Sequence, residues 1–183
     1  MRVWLQSGVW NSAIILASLG GDASRTELDQ IEAIGTKAGV APGPRALGEI
    51  ALQAGDYSEA REHIGPYVAA QRRFDNRLEI GHALEIFMRI ELAEGRYSEA
   101  VAHATEALGV CDKTGQIPLR WRLHAGMAQA HRELGDIARS QEHANSARGD
   151  FELLSQRIDD VVLRGWFARQ PIVGYWFPEL TSE

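Results

Sequence analysis

The stretches AGDYSEAREHI (Ala54 to Ile64) and AEGRYSEAVAH (Ala93 to His103) carry one phrase, Gly-x-Tyr-Ser-Glu-Ala, once from Gly55 and again from Gly95. Setting the chain out in forties brings Gly55, Gly95 and Gly135 into register. Tyr57, Tyr97 and Ile137 align with them, as do His63, His103 and His143. A fixed internal period of this length is the mark of stacked structural units, and it outranks any local motif.

Each unit divides into two helical halves. In LEIGHALEIFMRIELAEGRY (Leu78 to Tyr97), Leu84, Phe87, Met88 and Glu91 recur at helical spacing, with Ile80 and Leu92 beside the same stripe. Gly95 follows the last turn and supplies the left-handed backbone a helix end needs. Ser98 then stands as the expected N-cap of SEAVAHATEALGVCDK. That second half lines up Ala100, Ala104, Ala107 and Leu108, small enough to let paired helices approach closely. The third unit opens at Pro118, which a first helical turn tolerates. The first unit, PRALGEIALQAGDY followed by SEAREHIGPYVAAQRRF, carries Pro66, expected to kink its helix or restart it after Gly65. Tyr57 and Tyr97 read as packing residues wedged at the turns.

Length and composition bound the rest. A chain of 183 residues with 45% hydrophobic content can bury a core, and no low-complexity tract argues for disorder. The net charge of −6 argues against general affinity for nucleic acid. Lysine occurs only at Lys37 and Lys113, so positive charge rests on arginine. The lone Cys111 excludes an internal disulfide and fits a reducing, cytoplasmic setting. The apolar run Ala13 to Leu19 is too short to span a bilayer, which takes about 20 residues. It reads as a buried helix, with a cleaved signal segment as the alternative.

These residues resemble the tetratricopeptide repeat family. The likeness rests on Leu47-Gly48, Gly55-Asp56-Tyr57 and Ala60 in the first unit. Phe87-Met88, Gly95-Arg96-Tyr97 and Ala100 follow in the second, then Met127-Ala128, Gly135-Asp136-Ile137 and Ser140 in the third. Gly21-Asp22 precedes Gly55-Asp56 by the family's usual repeat length and suggests a degenerate earlier copy. The longer step from Gly55 to Gly95 to Gly135 is similar to the repeats of helical arrays in large bacterial ATP-dependent regulators and cyclase-linked proteins. DDVVLRGWFARQPIV (Asp159 to Val173) resembles the closing helix of such arrays. The implied fold is all-α: one right-handed superhelical domain over residues 1–183, of about four helical hairpins and a cap. A degenerate hairpin would occupy 1–40, repeats 41–77, 78–117 and 118–158, and the capping helix and tail 159–183.

By that resemblance, a concave face would be lined by the first helix of each pair. The positions are Arg45 and Glu49, then His82, Glu85 and Arg89, then Arg122, Gln129 and Arg132. Arginines in successive units would fork onto carboxylates of an acidic protein or peptide partner. The competing reading pairs them with Glu49, Glu85 and Glu133 as a solvated face. The chaperone-tail clamp of some members has no counterpart, because Glu49 and Gly126 stand where Asn and a basic residue would be. A non-catalytic binding scaffold in a signalling or regulatory assembly is the expectation, and a sensor of a small acidic effector is the alternative.

Other chemistries find little footing. His63, His103 and His143 in successive units would lie at least a helix diameter apart, about 10 Å, too far to share an ion. His124 and His131, seven residues apart on one helix, are also too distant. AIGTKAGVAPG (Ala33 to Gly43) lacks the glycine spacing of a phosphate loop. No metal, cofactor or nucleophile-base set is expected. Aromatics gather at the ends: Trp4 and Trp10 at the start, Trp166, Phe167, Tyr175, Trp176 and Phe177 at the finish. They read as covers for the terminal hairpins or as a docking or homodimer surface.

Overall fold

In a computed structural model, residues 43–169 are described together with Val173 and Trp176. Among them all regular structure is helical: α1 (Pro44–Ala54), α2 (Tyr57–Arg73), α3 (Arg77–Ala93), α4 (Tyr97–Thr114), α5 (Ile117–Glu133), α6 (Ile137–Gln156) and α7 (Val161–Ala168). The chain divides into two units between Tyr67 and Val68, within α2. The expected earliest hairpin, and Trp4, Trp10, Tyr175 and Phe177, lie outside the described residues.

The repeated glycines occupy matching bends. Gly55, Gly95 and Gly135 have φ of 80°, 73° and 79°, left-handed values that a side chain resists. After each glycine the next amide reaches back to the equivalent carbonyl: Asp56 to Ala51 at 2.9 Å, Arg96 to Glu91 at 2.8 Å and Asp136 to His131 at 2.9 Å. The glycine amides bond Leu52, Leu92 and Arg132 at 3.1, 3.2 and 3.0 Å, completing a Schellman turn each time. These turns are short, so the expected N-cap at Ser98 falls inside the helix instead. The cap position is Asp56, Arg96 or Asp136. Asp56 accepts the Glu59 amide at 2.9 Å and Asp136 the Arg139 amide at 3.1 Å. Arg96 cannot accept, and turns back onto the carboxylates of Glu91 and Glu94.

A second set of bends links successive hairpins. Asp75 and Gly115, separated by the same interval as Gly55 and Gly95, both have positive φ, 48° and 70°. Aspartate is among the few residues that tolerate this conformation. Pro118 sits in the first turn of α5 as expected. Pro66 does not restart α2, which runs as one helix from Tyr57 to Arg73. The missing proline N–H removes one hydrogen bond, and the flanking turns carry the helix through.

Within the first unit, Ile64 of α2 lies over Gly48 of α1, where a Cβ would overlap the isoleucine side chain. Within the second unit, α3 packs against both α4 and α5, α4 against α5, α5 against α6, and α6 against α7. Ile80, Leu84, Met88 and Leu92 form the stripe of α3 that is buried in this contact. Ala100, Ala104 and Ala107 are buried against them with Cys111, Leu119, Leu123 and Met127. Tyr97 packs half-buried on this core, whereas Ile137 at the matching turn is exposed. A separate cluster of Trp121, Ala125, Ala147, Phe151 and Val173 is covered by Leu154, Phe167 and Trp176.

Candidate functional site

The residues expected on a binding face divide between the units. Arg45 and Glu49 are on α1 in the first, where Arg45 is half-buried and Glu49 buried, accepting a bond from Gln53 at 3.3 Å. The other six lie on α3 and α5 in the second. His82 and Arg89 are half-buried, at positions −3 and +4 from Glu85, so all three share one stripe of α3. Glu85 is 5% exposed. Its carboxylate reaches across to α5, where Arg122 Nη2 donates to Oε2 at 2.9 Å and Nε sits 2.7 Å from Oε1. Gln129 is half-buried and Arg132 exposed on α5, the latter 3.4 Å from Glu133.

This contact joins one residue of the α3 stripe to one of the α5 stripe. It also changes what two residues do. Glu85 is held inside, where its charge is balanced by Arg122, and an incoming carboxylate must compete with it for that guanidinium. Arg132 is the exposed cation of the two stripes, whereas Arg89, like Arg122, is half-buried. The reading of arginines satisfied by neighbouring glutamates therefore holds for Arg122, and loosely for Arg132.

The histidines rearrange. His63 lies 3.5 Å from Glu59, and His103 stacks on Phe87 with ring centroids 5.0 Å apart, 3.9 Å from Glu91. His143 meets neither. It sits against α5, its Nδ1 3.0 Å from Nδ1 of His124 and its ring parallel to that of His131, centroids 5.4 Å apart and planes 6° apart. The repeat register hid this column, because it compares equivalent positions rather than facing ones. Counting outward from Gly135 would have found it: His143, eight residues beyond the turn, faces the stretch eight residues before it, between His124 and His131.

The column is not a metal chelate. The His124 and His143 centroids are 5.2 Å apart, longer than the 3.0 Å nitrogen separation by about two ring radii. The nitrogens thus point at each other instead of converging on a third point. Among the described residues no group of three or more His, Cys, Asp or Glu could hold a metal ion. Burial lowers the pKa of both His124 and His143, and the neighbouring imidazole, His143 for the first and His131 for the second, lowers each further.

Two further features escaped the sequence reading. Arg120 of α5 grips Asp150 of α6 with both arms of its fork, Nε donating at 2.7 Å. Trp121, the one tryptophan away from the ends, is buried edge-on to Phe151 at 5.6 Å. At the C-terminal end Phe167 stacks on Phe151 at 5.1 Å and Trp176 packs on both core clusters, which makes them covers of the last hairpin. Trp166 is 59% exposed, beside exposed Val161, Val162 and Leu163.

Among the described residues no helix is long and apolar enough to cross a membrane. Compared with known proteins, the chain matches no family model, no curated protein and no solved structure.

Proposed function

We propose that the protein is a non-catalytic binding scaffold, a tetratricopeptide-like right-handed solenoid that receives an acidic protein or peptide segment along its first-helix stripes. The observation that carries this reading is the Arg122 to Glu85 contact. It sets Glu85, which shares a stripe with His82 and Arg89, against Arg122, which shares α5 with Gln129 and Arg132. Matching glycine bends and the packing of α3 on both α4 and α5 support the stacking. Arg132, exposed, would engage a carboxylate first, and Arg89 would follow on the neighbouring stripe, because guanidinium presents paired donors in a fixed fork. Arg122, pre-oriented by Glu85, would add a third contact by sharing. Apolar burial along the partner would supply most of the affinity, and the arginines its orientation.

The test is fluorescence anisotropy with a library of acidic peptides of about ten residues, at low salt and at about 0.15 M salt. Arg89→Ala and Arg132→Ala should each weaken binding by about tenfold, with a smaller effect at high salt. Peptide binding untouched by both changes would refute the site. A thermal shift with small dicarboxylates but none with peptides would favour the effector-sensing alternative.

A further inference from the structure

We propose that His124, His131 and His143 form an acid-released latch between α5 and α6, closed by one proton shared between His124 and His143 and opened when both imidazoles are protonated. Two Nδ1 atoms 3.0 Å apart and aimed at each other can hold one hydrogen between them, as an N–H on one ring and a lone pair on the other. A first additional proton can enter at the Nε2 of the donor ring and leave that bond intact. A second must occupy the remaining lone pair, which turns the bond into two N–H groups in opposition.

The surroundings are set against the second proton. Asp112 from α4 and Asp150 from α6 act on His124, but Asp150 is already gripped by Arg120, whose own charge opposes protonation of His124. Glu142 acts on His143 from one side, against Arg139 and His131. His131 is buried with its ring parallel to that of His143, so a charge placed on His143 meets a second imidazole on the α5 side of the seam. Both pairs therefore act on the same seam. Ser140, which donates to the Ala128 carbonyl at 2.8 Å, lies within it and would be released together with the latch. This inference stands apart from the binding proposal, because it concerns the opposite side of α5.

The sign follows from linkage. Both imidazoles are neutral in the folded and unfolded chain well above the ordinary histidine value of about 6.5, so the latch costs nothing there. As pH falls below that value the unfolded chain takes up protons that the folded hairpin resists, and stability is lost.

Hydrogen exchange of the full chain at pH 7.5 and about 5.2, corrected for intrinsic rates, tests it. Amides of α5 and α6 should open about tenfold more often at the lower pH, relative to those of α3 and α4. Equal change in both pairs of helices overturns the latch. His124→Asn places a non-titrating amide opposite His143 and should remove most of the difference, and an unchanged acid response in that variant is equally fatal. Should that variant fail to fold, imidazole resonances of the unmodified chain decide. His124 and His143 should titrate together below the ordinary range, and independent titration near about 6.5 rules the shared proton out.

Discussion

Arg120 and Asp150, 30 residues apart in the chain, form a two-armed ion pair across the α5 to α6 seam, with the aspartate side chain only 10% exposed and the arginine 33%. A carboxylate this far from water is costly to leave without its guanidinium. Arg120→Ala should therefore destabilise the fold by about 2–3 kcal/mol, below the full cost of breaking a buried pair because the arginine end is wet. Replacing both, as in Arg120→Met with Asp150→Leu, should recover most of that loss. Urea denaturation of the two variants checks this, and a double variant no more stable than the single one would contradict it.

Ser140 stands where the first two units have Ala60 and Ala100, and its hydroxyl donates to the Ala128 carbonyl at 2.8 Å. That carbonyl belongs to a helix and keeps its backbone partner when the hydroxyl is removed. Ser140→Ala should thus cost only about 0.5–1 kcal/mol, partly offset by alanine's helix preference. Ser140→Val, which adds bulk at a close helix contact, should cost about 1–3 kcal/mol. The chemical denaturation midpoints should fall in the order unmodified, alanine, valine. An alanine variant worse than the valine one would show that the hydroxyl has a role other than bridging.

Gly126 faces Met88 so closely that an added Cβ would overlap the thioether. Methionine is flexible and can give way in part, so Gly126→Ala should cost about 1–2 kcal/mol rather than unfold the chain. Met88→Ala alone should cost about 2–5 kcal/mol by leaving a cavity. In the Gly126→Ala background it should cost less, because the new methyl occupies part of the vacated space. A double-mutant cycle from thermal melts measures the difference, and strict additivity would deny the contact.

Cys111 is buried in the core between α3 and α5, and its thiol pKa is pushed up to about 11 by burial first, then by Asp112 and Glu85. At pH 8 only about one thiol in a thousand is ionised. An aromatic disulfide reagent should leave the native protein unlabelled for hours and react fully in denaturant. Labelling of native protein at the rate of a free thiol would place the sulfur outside the core.

Much of the architecture was legible because it is local. A glycine that must adopt positive φ, a helix stripe of Leu84, Met88 and Leu92, and a small-residue row of Ala100, Ala104 and Ala107 all act within a few residues of chain. Repetition from Gly55 to Gly95 to Gly135 then multiplied a weak signal. The N-cap was misplaced at Ser98 because a Schellman turn shortens the linker, a detail of geometry rather than of composition. Pro66 does not restart the helix, because the flanking turns of α2 carry it past one lost bond.

By itself the sequence determined helices, bends and their register, since each depends on backbone preferences and periodicity that neighbouring residues share. Only the tertiary structure decided that Glu85 faces Arg122, that His143 slots between His124 and His131, and that Arg120 closes on Asp150. Those partners are distant in sequence, each pair drawn from two different helices. Which side chains meet over such separations depends on how far each helix is rotated about its axis when two surfaces interlock. A few tens of degrees exchange one facing residue for another, and no local rule of sequence records that angle.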